Sequence, residues 1–263
     1  WACGYIGDWL AGADADGMAP LIAGPTTAGA GSEVGRGGVL TNAESHVKKI
    51  IFHPKMRPGI VIGDPELTCG MPQVITVGTG LDAFIHCLEA YSSPFYHPMS
   101  QGIALEGMRL VKENLPKVFA DPNDIEARSH MMSAAAMGAT AFQKGLGGMH
   151  ALAHPIGANF NTHHGMTNAV VMPALLKFNR AAIEERIDAL AAYLGIDGGF
   201  DGFFDYIMQM RSDLGVPNTL TELGASDDII DDLAAAAIED PSAGGNPVEL
   251  TLEAAKSLYR ECF

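Results

Sequence analysis

Apolar and polar positions follow two different rhythms along the chain. Up to about residue 68 the apolar runs are short and stop at turn residues. Residues 18–23 end at Gly24-Pro25, residues 39–41 and 49–52 flank a polar stretch at 42–45, and residues 60–62 end at Gly63-Asp64-Pro65. Such runs read as strands joined by turns. After Met71-Pro72 the apolar residues recur at helical spacing, first over residues 73–92, with Pro94 and Pro98 marking the stop. The same rhythm predicts helices over 98–115, 124–142, 149–153, 168–179, 181–194, 200–214, 226–239 and 251–262. Asp124 and Ser226 are placed as N-caps, Gly195 and Gly215 as C-terminal stops, and Pro155 with Gly157 as a helix break. The expectation is an α/β segment over residues 1–68 followed by an all-α domain over residues 69–263.

Composition narrows the function classes. Hydrophobic residues make up 48% of the 263 positions and charged residues 18%, as in a globular protein with a substantial core. Sixteen basic against 31 acidic residues give a net charge of −15, which repels nucleic acid and anionic membrane, so neither is expected as a partner. Cys3, Cys69, Cys87 and Cys262 show no C-x-x-C spacing, so reduced thiols are expected rather than a disulfide framework or a zinc ribbon. With no signal-peptide pattern and no apolar run of membrane-spanning length, the cytoplasm is the expected location. Trp1 is not an initiator residue, and the native protein is expected to extend further upstream.

Candidate chemistry concentrates in two places. Asp82 and His86, four apart on a predicted helix, share one face among Leu81, Phe84, Ile85 and Leu88. Burying that pair requires charge compensation, which either a simple hydrogen bond or a metal would provide. Then His150, His154, His163 and His164 fall within fifteen residues, beside glycines. One carboxylate with several imidazoles is the donor set of a divalent metal, and Asp82, His86, His150 and His164 form the expected set. His163 is expected to point away from its neighbour. His154, one turn from His150, is expected near the metal but not on it, with a role in support or proton transfer. The loop 24–33 contains Gly29-Ala30-Gly31 after a strand but lacks the third glycine of a dinucleotide fingerprint. Its glycines, with Thr26, Thr27 and Ser32, suit either a phosphate site or a structural turn.

Taken together, these motifs resemble the iron-containing (group III) alcohol dehydrogenases. The resemblance is carried by Pro25-Thr-Thr-Ala-Gly-Ala-Gly-Ser-Glu33, Asp64-Pro-Glu-Leu-Thr68, Gly80-Leu-Asp-Ala-Phe-Ile-His86 and residues 147–165. It implies a dinucleotide-binding α/β domain, of which residues 1–68 would be the C-terminal part, and a helical metal-binding catalytic domain. It further implies Fe²⁺ or Zn²⁺ on Asp82, His86, His150 and His164, with His154 beside the active site. NAD(P) would contact Thr26 and Thr27, with Lys48 as the cofactor lysine and Leu67 in a segment lining the nicotinamide cleft. The family's Gly-Gly-Gly-Ser pyrophosphate loop has no counterpart in this sequence. The implied activity is hydride transfer between an alcohol or aldehyde and NAD(P), in a homodimer. A metal-dependent lyase of the dehydroquinate synthase type and a non-catalytic helical domain are the alternatives. Phe142, Met149 and Phe160 are candidate walls of the substrate pocket.

Overall fold

The computed structural model describes residues 19–41 and 48–263. Four strands occupy the places the apolar runs suggest: β1 (Ile22–Ala23), β2 (Gly37–Thr41), β3 (Lys48–Phe52) and β4 (Ile60–Val61). β1 and β4 pair in parallel with Ile22 opposite Ile60, while β2 and β3 form an antiparallel ladder from Gly37–Phe52 to Thr41–Lys48. The connection expected at 42–45 lies outside the described residues. Tight 3-10 turns follow at Pro54–Met56 and Pro65–Thr68, the second opened by the Asp64 carboxylate accepting from the Glu66 N–H at 3.0 Å.

Eight helices are described after this point: α1 (Gln73–Ser92), α2 (Pro98–Ala120), α3 (Ile125–Ala141), α4 (Gly148–Phe160), α5 (His164–Tyr193), α6 (Gly199–Asp213), α7 (Ile230–Glu239) and α8 (Leu252–Cys262). Helix α1 is the axis of the domain. From Thr76 to Ser92 every residue except Thr79 is buried, as expected of a helix that is apolar on all sides. It packs against α2, α3 and α5; α4 packs against α5 and α7, and α5 also carries α6 and α8. Small residues permit the closest approaches. A Cβ on Gly107 would meet Cys87 Sγ at 2.5 Å, and one on Gly138 would meet the Ala83 carbonyl at 3.0 Å.

Several helix boundaries differ from the sequence expectation. Helix α2 runs on through Pro116 to Ala120 instead of stopping at 115. Helix α4 continues through Pro155 and Gly157 to Phe160 and ends at Asn161, which adopts the left-handed conformation at φ 53°. Proline removes one helical N–H but not the apolar face around it. Leu152, Ala153 and Ile156 are all fully buried, and packing overrides the local breaker. Residues 168–179 and 181–194 belong to the single helix α5, whose interior Pro173 is likewise buried. Ser226 caps a 3-10 turn at Asp227–Ile229 ahead of α7 rather than α7 itself. Asp124 does cap α3, accepting from the Ala127 N–H at 3.0 Å, and Gly195 and Gly215 take the positive φ that ends α5 and α6.

The C-terminal end of α1 is gripped by two cations. Buried Lys144 donates through Nζ to the carbonyls of Ala90 (2.9 Å), Tyr91 (3.2 Å) and Ser93 (2.8 Å), and Arg186 Nη1 donates to those of Ser92 (3.0 Å) and Ser93 (2.6 Å). These carbonyls have no partners within the helix, and positive charge at this end also complements the helix dipole. Lys144→Met is expected to lower stability by about 1–3 kcal/mol through the unpaired carbonyls. Chemical denaturation would measure it, and an unchanged midpoint would refute the assignment.

Candidate metal centre

Three helices bring the expected ligands together. Asp82 and His86 lie one turn apart on α1, His150 enters from the first turn of α4, and His164 is the first residue of α5. Measured from Asp82 Oδ1, the Nε2 atoms stand at 3.9 Å (His86), 3.7 Å (His150) and 3.5 Å (His164). Donor atoms of Asp82, His86 and His150 all lie within 4.8 Å of one another. The His86 and His150 rings are near parallel, with centroids 4.8 Å apart, and the His150 and His164 centroids are 5.2 Å apart. Asp82, His86 and His150 are buried, whereas the His164 side chain is 41% exposed, so the cluster opens on the His164 side.

Close backbone contact between α1 and α5 makes this geometry possible. A Cβ on Gly165 would lie 1.9 Å from the Gly78 carbonyl oxygen and 3.1 Å from Asp82 Cβ. The adjacent His163 turns the other way, as expected. Its ring packs over Gly78, and its Nδ1 caps α5 by accepting from the Met166 N–H at 3.3 Å.

Carboxylates behind the imidazoles fix their orientation. Glu89, buried on α1, accepts from His150 Nδ1 at 2.6 Å and from the Met149 N–H at 2.7 Å. An ionised carboxylate only accepts, so His150 carries its proton on Nδ1 and turns Nε2 toward Asp82. Asp240, at the end of α7, plays the same part for His154, with Nδ1 to Oδ2 at 2.8 Å. His154 stacks on His164 with centroids 5.3 Å apart and an interplanar angle of 10°, beside the cluster rather than within it.

Electrostatics follow from the burial. Burial opposes a charged Asp82, but the imidazoles around it, His86 foremost, hold its carboxyl well below the usual range. Burial likewise opposes a charged His150, yet Glu89 and Asp82 push that imidazole up to about 10. Burial dominates at His86 and His164, which fall to about 4 and about 3. Two imidazoles thus favour their neutral, lone-pair-bearing form next to an ionised carboxylate. This donor set suits a divalent cation of the zinc or iron type, and ligands about 2.0–2.3 Å from a common centre have separations of this order. The residues therefore fit the metal that their types suggest.

The remaining expected residues are placed as follows. In the loop after β1, Ala28, Gly29, Gly31 and Glu33 are buried, while Thr26, Thr27 and Ser32 are exposed. Its glycines permit docking onto helices. A Cβ on Gly29 would lie 2.6 Å from Thr79 Cβ, and Gly31, at φ +59°, would meet the Ala135 carbonyl at 2.3 Å. Leu67 is exposed on the second 3-10 turn. Lys48 opens β3, but its side chain lies outside the described residues. Phe142 packs against His86 with centroids 5.0 Å apart, Phe160 is half-buried, and Met149 is buried at the start of α4. The carboxylates Glu89 and Asp240 and the amide of Asn168 were not anticipated. Glu89 had a readable signal, because it lies three residues after His86 on the same face of α1.

The chain matches the model of the Fe-containing alcohol dehydrogenase family, C-terminal, over residues 76–263, and that of iron-containing alcohol dehydrogenase over residues 5–65. The chain belongs to the iron-containing alcohol dehydrogenase family. Among its relatives in this family is a 4-hydroxybutyrate dehydrogenase of Cupriavidus necator, 39% identical over 244 residues, covering 89% of this chain and 63% of the relative. The crystal structure of a 1,3-propanediol oxidoreductase superposes with a TM-score of 0.89 at 33% identity, covering 93% of this chain and 66% of that one. The sulfoacetaldehyde reductase of Bifidobacterium kashiwanohense, solved in complex with NAD⁺, gives 0.85 at 30% identity, covering 92% and 64%. The chain thus spans about two-thirds of the length of these relatives. Its architecture, a short α/β segment leading into a helical domain, is that of the corresponding part of the family. Among the described residues no helix is long and apolar enough to cross a membrane.

Proposed function

We propose that this chain carries the metal-holding catalytic domain, residues 69–263, and the C-terminal part of the dinucleotide-binding domain, residues 1–68, of an NAD(P)-dependent alcohol dehydrogenase. The carrying observation is the convergence of Asp82, His86, His150 and His164 from three helices, with Glu89 orienting His150 from behind. A divalent cation held there, Fe²⁺ or Zn²⁺, supplies Lewis acidity to a substrate oxygen, and a bound nicotinamide supplies the hydride acceptor. The chain's own residues do the rest. Asp82 contributes the negative charge, the buried imidazoles exclude water from the rear, and exposed His164 leaves the approach for an alcohol or aldehyde. His154, with Nδ1 committed to Asp240, has Nε2 available to accept the hydroxyl proton during oxidation and return it during reduction. Thr26 and Thr27 offer exposed hydroxyls to the cofactor, Lys48 a positive charge, and Leu67 an apolar shoulder. A cytoplasmic homodimer completes the assignment.

His164→Ala is expected to lower metal content and alcohol-dependent NAD(P)H formation together. Lewis-acid polarisation is worth several kcal/mol and each 1.36 kcal/mol is tenfold, so the activity loss should be about 10²-fold or more. Elemental analysis alongside a spectrophotometric assay decides it, and full activity in the metal-free variant would sink the mechanism. Asp240→Asn should behave differently. Metal content stays at the wild-type level while turnover falls by about tenfold or more, because the His154 tautomer is no longer fixed. Equal turnover in the two proteins would remove His154 from the proton path.

A further inference from the structure

We propose that Asn168 is a positioning residue of the metal centre, whose side-chain amide holds the Asp82 carboxylate from the buried side and thereby sets how tightly a divalent cation is bound. The inference rests on the metal reading above and adds to it a residue that is not itself a ligand. Asn168 lies on α5 one turn beyond His164 and has no solvent exposure. Its Nδ2 stands 3.1 Å from Asp82 Oδ1, 3.1 Å from His164 Nε2 and 3.3 Å from His150 Nε2, so a single NH₂ group touches three of the four donor atoms. Its own Oδ1 is buried and has no hydrogen-bond partner.

An unpaired buried carbonyl is costly. Leucine has the same branched heavy-atom skeleton and would occupy this position without leaving a polar atom unsatisfied. The amide is therefore explained by what its nitrogen does. Its two hydrogens face the Asp82 carboxylate and the Nε2 atoms of His150 and His164. Once the imidazole lone pairs of His150 and His164 are engaged by a cation, Asp82 is the acceptor that remains. A hydrogen bond to that carboxylate fixes its rotation while adding no charge. A lysine or arginine in the same place would repel the cation, and an aspartate would compete for it. Because Asn168 also closes the buried side, the open side is left to His164 and His154, whose side chains are 41% and 33% exposed.

The test is anaerobic titration of the metal-free chain with Co²⁺, following its visible ligand-field bands, with affinities from chelator competition. Wild type is compared with N168A, N168L and N168S, and thermal midpoints of the metal-free proteins are recorded in parallel. Losing a partner of this kind costs about 10–100-fold in metal affinity, so N168A and N168L should bind that much more weakly with altered bands. N168S, which keeps a donor, should recover part of the loss. A purely packing role would move the midpoints and leave affinity and bands alone. N168L that binds Co²⁺ like wild type, with the same bands, overturns the assignment; should N168L not fold, N168A decides in the same way. A wild-type chain that takes up no Co²⁺ overturns the metal reading itself, which is a distinct result.

Discussion

Gly165→Ala should destabilise the chain by about 3 kcal/mol, the upper part of the range for overpacked cores, and should disable the metal centre as well. The added methyl would meet the Gly78 carbonyl oxygen at 1.9 Å and its carbon at 2.6 Å, both backbone atoms of a buried helix. No flexible side chain is there to yield, so α5 must move away from α1. Asp82 rides on α1 and His164 on α5, and the 3.5 Å between their donor atoms would open. A misplacement of about 1 Å at a reacting centre can cost roughly 10²-fold in rate. Gly102→Ala is the control. Gly102 is helical, and its added Cβ meets nothing within 4 Å, so that change should be neutral or stabilise by up to about 1 kcal/mol. Chemical denaturation together with metal analysis would compare them, and a Gly165→Ala protein as stable and as metal-rich as wild type would refute the close-contact account.

Glu89→Ala should cost about 3–5 kcal/mol, the range for removing one partner of a buried ion pair. It strips His150 of its 2.6 Å partner and the start of α4 of the acceptor for the Met149 N–H. Metal affinity should fall by about 10–100-fold, because nothing then holds Nε2 toward Asp82. The stability effect carries a pH signature in the metal-free protein. Glu89 and Asp82 raise His150 from 6.5 to about 10, so the folded state binds the proton more tightly than the unfolded one. The stabilisation is full below about pH 6.5 and is lost as pH rises toward about 10. The gap between wild type and Glu89→Ala should therefore be widest on the acid side. A gap independent of pH would show that Glu89 acts on the helix start alone.

What was legible in the sequence divides along physical lines. The four proposed ligands could be read because residue type and helical spacing carry the signal: Asp82 and His86 share a face, and the histidines cluster beside glycines. The switch from strands to helices near residue 70 was readable for the same reason, a change of hydrophobic period. The continuity of α4 through Pro155 was not readable, because its cause is burial of Leu152 and Ile156 by other helices. Asp240 left no local trace, since it meets His154 across 86 positions of sequence. Asn168 looked like any polar residue at a helix start, and only three-dimensional packing places its amide against Asp82. The glycines of the loop after β1 suited phosphate or turn equally well on paper. The structure explains Gly29 and Gly31 by contact with α1 and α3 and leaves the threonines facing outward.

The separation of the proposed ligands along the chain has a thermodynamic consequence. Asp82 and His86 are a turn apart, but His150 and His164 reach them only after α1, α4 and α5 have packed together. An unfolded chain offers no such convergence, so the ion binds the native state almost exclusively and its free concentration enters the folding equilibrium. At a hundredfold excess over Kd this mass-action term is about 2.7 kcal/mol, comparable to a well-placed core side chain. With these ligands the heat resistance of the protein is expected to depend on the metal supply of its surroundings as well as on its sequence, chelation and warming pushing the same equilibrium in the same direction.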